Sequence, residues 1–238
     1  TFSSATKVQS VSLGEHPIDF HFEWGNLPFR PELLMFCCLA PPLKAGETIL
    51  CDSHNVVNEL SAENLAFLSA NMLEYKDIIP SWVIDYYAKN LQLNKYFGGD
   101  FVQYLKQLPN YDIKPLNNEF ASTKFFTPAI TEAFFSDKKV LGGNILTSIY
   151  SNKNNQDGYA SKLTFTNGEE IPSAIQQELV QAITKHKLTV SWQKGDVVLM
   201  DNTRFLHGRN QILDNQRKIL LVSSYSQESV FTPLASAS

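Results

Sequence analysis

A His-Phe-Glu triplet at residues 21–23 limits the architectures open to this 238-residue chain. In an extended strand, residues i and i+2 project to the same side, so His21 and Glu23 can chelate one metal ion together. A helix would need ligands three or four residues apart, as in zinc proteases, and no such pair stands out in the sequence. The triplet therefore predicts a β-strand that carries two metal ligands.

A third ligand is offered far downstream by His207, within the run from Trp192 to Arg209. Two imidazoles and one carboxylate can occupy one face of an octahedral Fe(II) ion and leave three positions for a co-substrate and dioxygen. A lone histidine is more often a packed or surface residue than a ligand. The metal hypothesis therefore depends on His21, Glu23 and His207 jointly, on strands that the fold must bring together.

Composition points to one domain and excludes several kinds of partner. Hydrophobic residues make up 43% of the chain, and β-barrels of this length are routinely single domains, so we expect one domain over residues 1–238. Lys and Arg are scattered and the formal net charge is −4, so we expect no nucleic-acid partner. No apolar stretch approaches the roughly 18 residues of a membrane span, and the first 20 residues lack a signal pattern. We therefore expect no membrane association and a cytoplasmic protein.

The three cysteines are predicted to be free thiols that pack as small hydrophobic side chains. They are Cys37, Cys38 and Cys51, an odd number with two adjacent in sequence. Neighbouring cysteines rarely bridge each other, so this pattern is typical of a reducing compartment.

Apolar patterns predict strands towards both ends of the chain and helices between them. Strands are expected at residues 7–13, 33–39, 188–192, 197–200 and 219–222. This order favours a mainly β fold with inserted helices, namely a double-stranded β-helix of the jelly-roll or cupin-like kind, whose mouth can hold a metal.

Three helical regions are expected between these strands. Ser61 is a candidate N-cap for a helix whose apolar spacing runs on through Met72 and Leu73. Pro172 marks the start of a second helix that should end near His186. The aromatic-rich residues 81–108 are predicted to be helical with a break at Gly98-Gly99, and the Asn-rich residues 152–158 to form an exposed loop.

Taken together, these residues resemble the taurine/2-oxoglutarate dioxygenase family, including its clavaminate-synthase-like members. His21-Phe22-Glu23 matches the family's His-x-Asp/Glu motif, and residues 36–53 resemble its Gly-Gly-Glu-Thr segment, with Ala45 in place of the first glycine. Residues 192–209 resemble its Trp-x-x-Gly-Asp…Asp-Asn…His-Gly-Arg signature. The resemblance implies iron ligation by His21, Glu23 and His207, with 2-oxoglutarate as co-substrate and dioxygen as oxidant.

The resemblance also implies a binding site for 2-oxoglutarate. Arg217 matches the arginine that holds the distal carboxylate, and Thr48 matches its hydroxyl partner; a planar guanidinium suits such a carboxylate. Lys218 is an alternative cation, but strand alternation places it on the opposite face. A second family arginine has no counterpart at residues 220–224, and Arg209 is expected to compensate. Only 20 residues precede the triplet, fewer than is usual in the family, so the N-terminal part is expected to be abbreviated.

The carboxylate at position 23 bears on the reaction. Related halogenases have a small residue there, which opens a metal position for chloride, whereas Glu23 fills that position. The resemblance therefore implies hydroxylation or desaturation of a small metabolite, amino-acid-like or carrier-bound, in a natural-product pathway. Two alternatives stay open: a non-catalytic member that binds metal or ligand without turnover, and a zinc hydrolase with the same three ligands. The zinc alternative leaves Thr48 and Arg217 without a role, and the sequence predicts no oligomeric state.

Overall fold

The computed structural model describes residues 8–11, 14–90, 101–147, 161–214 and 216–225. The strands are β1 (Gln9–Ser10), β2 (Ile18–His21), β3 (Leu33–Ala40), β4 (Thr48–Asp52), β5 (Met72–Pro80), β6 (Tyr111–Pro115), β7 (Phe120–Pro128), β8 (Ile130–Glu132), β9 (Lys139–Leu141), β10 (Ser161–Phe165), β11 (Leu188–Val190), β12 (Val197–Asp201), β13 (Phe205–Arg209) and β14 (Lys218–Ser224). The helices are α1 (Ser53–Asn58), α2 (Ala62–Ser69), α3 (Ser81–Asn90), α4 (Phe101–Leu105) and α5 (Ser173–His186).

Two antiparallel sheets of four strands each form a double-stranded β-helix. The first sheet has the strand order β1-β14-β3-β12, and the second has the order β11-β4-β13-β2. Strands from the two ends of the chain are neighbours in both sheets, as where β14 pairs with β3 and β13 pairs with β2. This topology confirms the predicted mainly β jelly roll with inserted helices.

A small apolar core lies between these two sheets. On β3 the side chains alternate, so that Leu34, Phe36 and Cys38 are buried while Met35 and Leu39 are 36% and 39% exposed. The strand predicted at residues 33–39 is therefore confirmed, but only one of its faces is buried. Residues of the second sheet that pack against this core are Leu50, Val190 and Phe205.

A larger core covers the other face of the second sheet. A third sheet, with the strand order β10-β5-β7-β6, supplies one side of this core, and α5 adds a further apolar face. Residues of the larger core include Phe22, Cys51, Leu73, Tyr75, Phe125, Leu163, Ile175, Leu179 and Leu206. The second sheet is thus packed on both faces, which holds its strands firmly in place.

The predicted helix after Ser61 is confirmed, but it is shorter than expected. The Ser61 hydroxyl accepts the Asn64 N–H, and α2 ends at Ser69. Met72 and Leu73, which were predicted on this helix, instead begin β5. Along its full length β5 pairs with β7, so a complete ladder of backbone hydrogen bonds outweighs the local helical spacing.

Most other predicted elements are confirmed where the structure describes them, with two exceptions. Among its described residues, the strand predicted at residues 7–13 forms a ladder only over Gln9–Ser10. The strand predicted to carry both ligands of the triplet ends at His21, and Glu23 lies in the turn that follows, because Trp24 turns the chain with a positive φ angle. Helix α5 buries Ile175, Leu179 and Ile183 on one face, and β11, β12 and β14 lie at the predicted strands. Helices α3 and α4 lie within the aromatic region, whereas its Gly98-Gly99 break and the loop at 152–158 lie outside the described residues. Over the described ranges, no helix combines the length and apolar character needed to span a membrane.

Candidate metal centre

The three predicted metal ligands meet where β2 ends beside β13. His21 is the last residue of β2 and lies opposite His207 on β13, and Glu23 follows two positions later. Glu23 Oε2 is 4.0 Å from His21 Nε2 and 3.6 Å from His207 Nε2. One ligand atom from each of the three residues lies within 4.8 Å of the other two. Such a cluster of two imidazoles and one carboxylate can hold a divalent metal ion.

Neighbouring groups fix the orientation of the two imidazole rings. His21 Nδ1 donates to the carbonyl oxygen of Asp19 at 2.8 Å. Because a carbonyl can only accept, Nδ1 carries the proton and Nε2 keeps its lone pair for a metal. The His207 ring lies 5.4 Å from the Phe36 ring, and its Nδ1 has no hydrogen-bond partner among the described residues. Packing against Phe36 therefore holds the second ring.

The protonation states of the triplet suit metal binding. Burial, followed by the charge of His207, lowers the pKa of His21 to about 4, so its ring is neutral at pH 7. Burial alone would raise the pKa of Glu23, but its hydrogen bond to His207 and the charges of both imidazoles outweigh burial and lower that pKa. A neutral imidazole and an ionised carboxylate are the forms that bind metal ions.

Thr48 and Arg217 form a buried polar pair, and the register of β4 and β13 places this pair near His207. Leu50 on β4 lies opposite His207 on β13. Thr48 lies two residues from Leu50 along β4, about 7 Å from it and on the same face of the strand. Arg217 Nη2 donates to Thr48 Oγ1 at 3.3 Å, and Arg217 Nε donates to the carbonyl oxygen of Gly46 at 2.8 Å. The structure therefore brings the predicted pair together.

The donors of this pair suit a carboxylate such as that of a co-substrate. Arg217 Nη1 is buried without a hydrogen-bond partner in the part of the chain that the structure describes. Thr48 Oγ1 accepts from Arg217 and also from Trp192 Nε1 at 2.9 Å, so its own hydroxyl hydrogen can be donated to a ligand. Burial, and then the charge of Arg209, lowers the pKa of Arg217 to about 10, which leaves the guanidinium charged at neutral pH. A carboxylate would satisfy these donors.

Arg209 is buried and binds a neighbouring loop. Its Nη2 donates to the carbonyl oxygens of Gly14 and His16, the latter at 2.7 Å. These bonds tie the segment before β2 to β13. The role of Arg209 in co-substrate binding stays a prediction.

Asn202 and Arg204, which precede β13, are both bound by neighbouring residues of the fold. Arg204 forms an ion pair with Asp52, with Nη2 and Oδ2 2.6 Å apart, so its charge is already matched. Asn202 is fully buried. Glu23 N–H donates to Asn202 Oδ1 at 2.9 Å, and Asn202 Nδ2 donates to the carbonyl oxygen of Glu23 at 3.1 Å. Asn202 therefore braces a predicted metal ligand.

Asn144 also contacts the triplet and was not predicted from the sequence. Its side-chain amide pairs with both backbone groups of Phe22. The available signal was the preceding Gly142-Gly143 pair, which marks a turn or a close backbone approach. A glycine pair does not show which distant segment it will approach, so this contact could not be inferred.

Comparison with known protein families was consistent with this arrangement. Residues 2–224 match the family described as Taurine catabolism dioxygenase TauD, TfdA family. The chain belongs to the TauD/TfdA family. The resemblance inferred from the sequence motifs is thereby confirmed.

Several individual proteins resemble this chain at low identity. A clavaminate synthase-like protein of Arabidopsis thaliana is 23% identical over 220 residues, which are 87% of this chain and 64% of that protein. A 3-((Z)-2-isocyanoethenyl)-1H-indole synthase of Fischerella ambigua is 23% identical over 226 residues, covering 90% of this chain and 68% of the synthase. The solved structure of an asparagine oxygenase has a TM-score of 0.55 and 16% identity, covering 92% of this chain and 56% of that one. The chain thus spans about two thirds of the length of the two curated relatives.

Proposed function

We propose that this member of the TauD/TfdA family is an Fe(II)- and 2-oxoglutarate-dependent oxygenase. The observation that carries the proposal is the buried Nη1 of Arg217, which has no partner within the described part of the chain. Arg217 contacts Thr48 on β4, the strand next to the one that brings His207 into a cluster with His21 and Glu23. The cluster offers three ligands to a metal, and the guanidinium offers a site for the far carboxylate of the co-substrate. A zinc hydrolase would need only the first of these two features.

The residues of the chain would bind, orient and shield the reacting groups. When bound, Fe(II) and 2-oxoglutarate supply the oxidising chemistry, in which dioxygen is consumed, 2-oxoglutarate is decarboxylated to succinate and a substrate hydrogen is removed. His21, Glu23 and His207 would hold the metal from one side. Arg217 and Thr48 would hold the co-substrate, since Thr48 is two residues along β4 from Leu50, the residue opposite His207. The small core around Phe36 would keep water away from the side of the metal that His207 occupies.

We further propose that the substrate is a small, amino-acid-like metabolite, either free or bound to a carrier protein, which is hydroxylated or desaturated in a natural-product pathway. Support comes from the Fischerella ambigua relative, whose name describes the synthesis of an indole that carries an isocyanoethenyl group. The asparagine oxygenase structure contains Fe(II), 3-hydroxyasparagine and succinate. Because these relatives are only 23% and 16% identical to this chain, they support a class of small, amino-acid-like substrates and no individual compound.

An anaerobic titration tests the proposed function. Metal-free protein receives Fe(II) and then 2-oxoglutarate while the visible spectrum is recorded, and dioxygen is admitted at the end. We expect a visible charge-transfer band that requires both additions, followed by the release of succinate. His21→Ala removes one of the two imidazole ligands and should lose the band, whereas Glu132→Ala, at an exposed glutamate on β8, should keep it.

Two results would contradict the proposal in different ways. A band that forms without any succinate after dioxygen is admitted would indicate a non-catalytic binding protein. Tight Zn(II) binding with hydrolytic activity and no response to 2-oxoglutarate would indicate a zinc hydrolase.

A further inference from the structure

The backbone between the two ligands of the triplet lies outside the β-ladder. β2 is the outer strand of its sheet and ends at His21, so the peptide groups of Phe22 and Glu23 follow the last ladder residue. These peptides join His21 to Glu23, and a rotation there would separate the two ligand side chains. Their hydrogen bonds therefore determine how firmly the ligand pair is held in place.

Two asparagine amides replace the missing strand partner at this point. Phe22 N–H donates to Asn144 Oδ1 at 2.8 Å, and Asn144 Nδ2 donates to the carbonyl oxygen of Phe22 at 3.1 Å. Asn202 pairs with Glu23 in the same two-way manner. Asn144 is only 8% exposed, so water competes poorly for these bonds.

The contact between Asn144 and the triplet requires close backbone packing. A Cβ at Gly25 would lie 2.5 Å from Asn144 Oδ1, and a Cβ at Gly143 would lie 3.0 Å from the carbonyl oxygen of Gly25. Neither position has room for a side chain, so the two turns approach each other through glycines on both sides. This fit places the amide of Asn144 directly against the backbone of Phe22.

The segment that carries Asn144 is itself anchored to the fold. Leu141 N–H donates to Ser53 Oγ at 2.8 Å, and Gly142 N–H donates to the carbonyl oxygen of Ala129 at 2.9 Å. Ser53 is fully buried at the start of α1, directly after β4, which carries Thr48. The turn that carries Asn144 is therefore anchored to the fold by two hydrogen bonds on its N-terminal side.

We propose that Asn144 is a positioning residue for the metal centre, because its amide fixes the peptide between His21 and Glu23 and so pre-organises the ligand pair. This inference rests on the proposed metal site. Groups that orient metal ligands from outside typically alter metal affinity by about 10–100-fold when they are removed.

The test compares the Mn(II) affinity of the wild-type protein, Asn144→Ala and Asn110→Ala by titration calorimetry without co-substrate. Asn110 is a matched control because it is half-buried beside the third sheet and its Nδ2 donates to the carbonyl oxygen of Phe126. We expect Asn144→Ala to weaken Mn(II) binding by about 10–100-fold and Asn110→Ala to leave the affinity unchanged. Thermal unfolding of both variants shows whether they are folded at the temperature of the titration.

A second variant disturbs the same contact from the other side. Gly25→Ala places a Cβ against Asn144 Oδ1 and should displace the amide without removing it, with a similar loss of Mn(II) affinity. Wild-type affinity in folded Asn144→Ala would overturn the positioning role and leave the proposed function intact. Absence of Mn(II) binding in the wild-type protein would overturn both. Failure of both variants to fold would also overturn the positioning role, since Asn144 would then serve the fold as a whole.

Discussion

The guanidinium of Arg217 is held on one side and open on the other. Its Nε and Nη2 donate to Gly46 and Thr48, while its buried Nη1 has no partner among the residues that the structure describes. Leaving a buried donor unsatisfied costs about 1–3 kcal/mol, and more when the donor is charged. A ligand carboxylate would remove that cost.

Replacing Arg217 by alanine should weaken 2-oxoglutarate binding by about 10–150-fold, because a hydrogen bond to a charged group contributes about 1.5–3 kcal/mol. The affinity for Fe(II) alone should be unchanged, since no metal ligand is lost. An anaerobic titration of the Fe(II)-loaded protein with 2-oxoglutarate measures the change. Lys218→Ala is the control, because Lys218 is the exposed neighbour on the opposite face. Equal 2-oxoglutarate affinities for the two variants would refute the proposed binding of the co-substrate carboxylate by Arg217.

At the residue level, the sequence predicted the ligands but not all of their supports. His21 and Glu23 were recognisable from their spacing of two, which is a local property of a strand, although the strand itself ends at His21 and Glu23 lies in the following turn. Arg217 was separated from Lys218 by the same alternation, and the structure confirms that only Arg217 is buried. Asn144 acts through a contact with a segment more than 100 residues away, and no local pattern encodes such a contact.

Among the elements, the turn before β4 sets the position of Arg217, which we propose binds the co-substrate. Ala45 and Gly46 have φ angles of +56° and +84°, both in the left-handed region. This conformation directs the carbonyl oxygen of Gly46 to Arg217 Nε. The left-handed region costs a residue with a Cβ about 1–2 kcal/mol, so Ala45 is strained where the family pattern has glycine.

Single substitutions at Ala45 and Gly46 should change the free energy of unfolding in opposite directions. Ala45→Gly should raise the free energy of unfolding by up to about 1 kcal/mol, because relief of strain exceeds the added flexibility of the unfolded chain. Gly46→Ala should lower it by about 1–2 kcal/mol, since a Cβ there adopts the same strained conformation and lies 3.2 Å from Ile212 Cγ1. Urea denaturation measures both changes. Destabilisation by Ala45→Gly would show that its positive φ is not a source of strain.

The elements that were predicted correctly are those with a local signal. Helix α5 has a proline at its start and one apolar face, and β3, β12 and β14 have short apolar runs. The error at Met72 arose because its apolar side chain continues the spacing of α2. Only the pairing of β5 with β7, some 50 residues later in the sequence, decides that this segment is a strand.

For the whole molecule, the second sheet connects the candidate metal centre to both cores. On β13, Leu206 packs into the larger core while its neighbour His207 faces Phe36 of the smaller core. Packing on both faces holds His207 at a fixed place opposite His21, although the two ligands are far apart in sequence. The sequence predicted this convergence through the jelly-roll hypothesis. The single domain over residues 1–238 stays a prediction.

Diffraction from crystals grown with Mn(II) and N-oxalylglycine, an analogue of 2-oxoglutarate, would show directly whether the three side chains share one ion. We predict a single anomalous peak between His21, Glu23 and His207, with the far carboxylate of the analogue on Arg217 and Thr48. A peak elsewhere, no peak, or an analogue that leaves Arg217 unoccupied would contradict the proposed site.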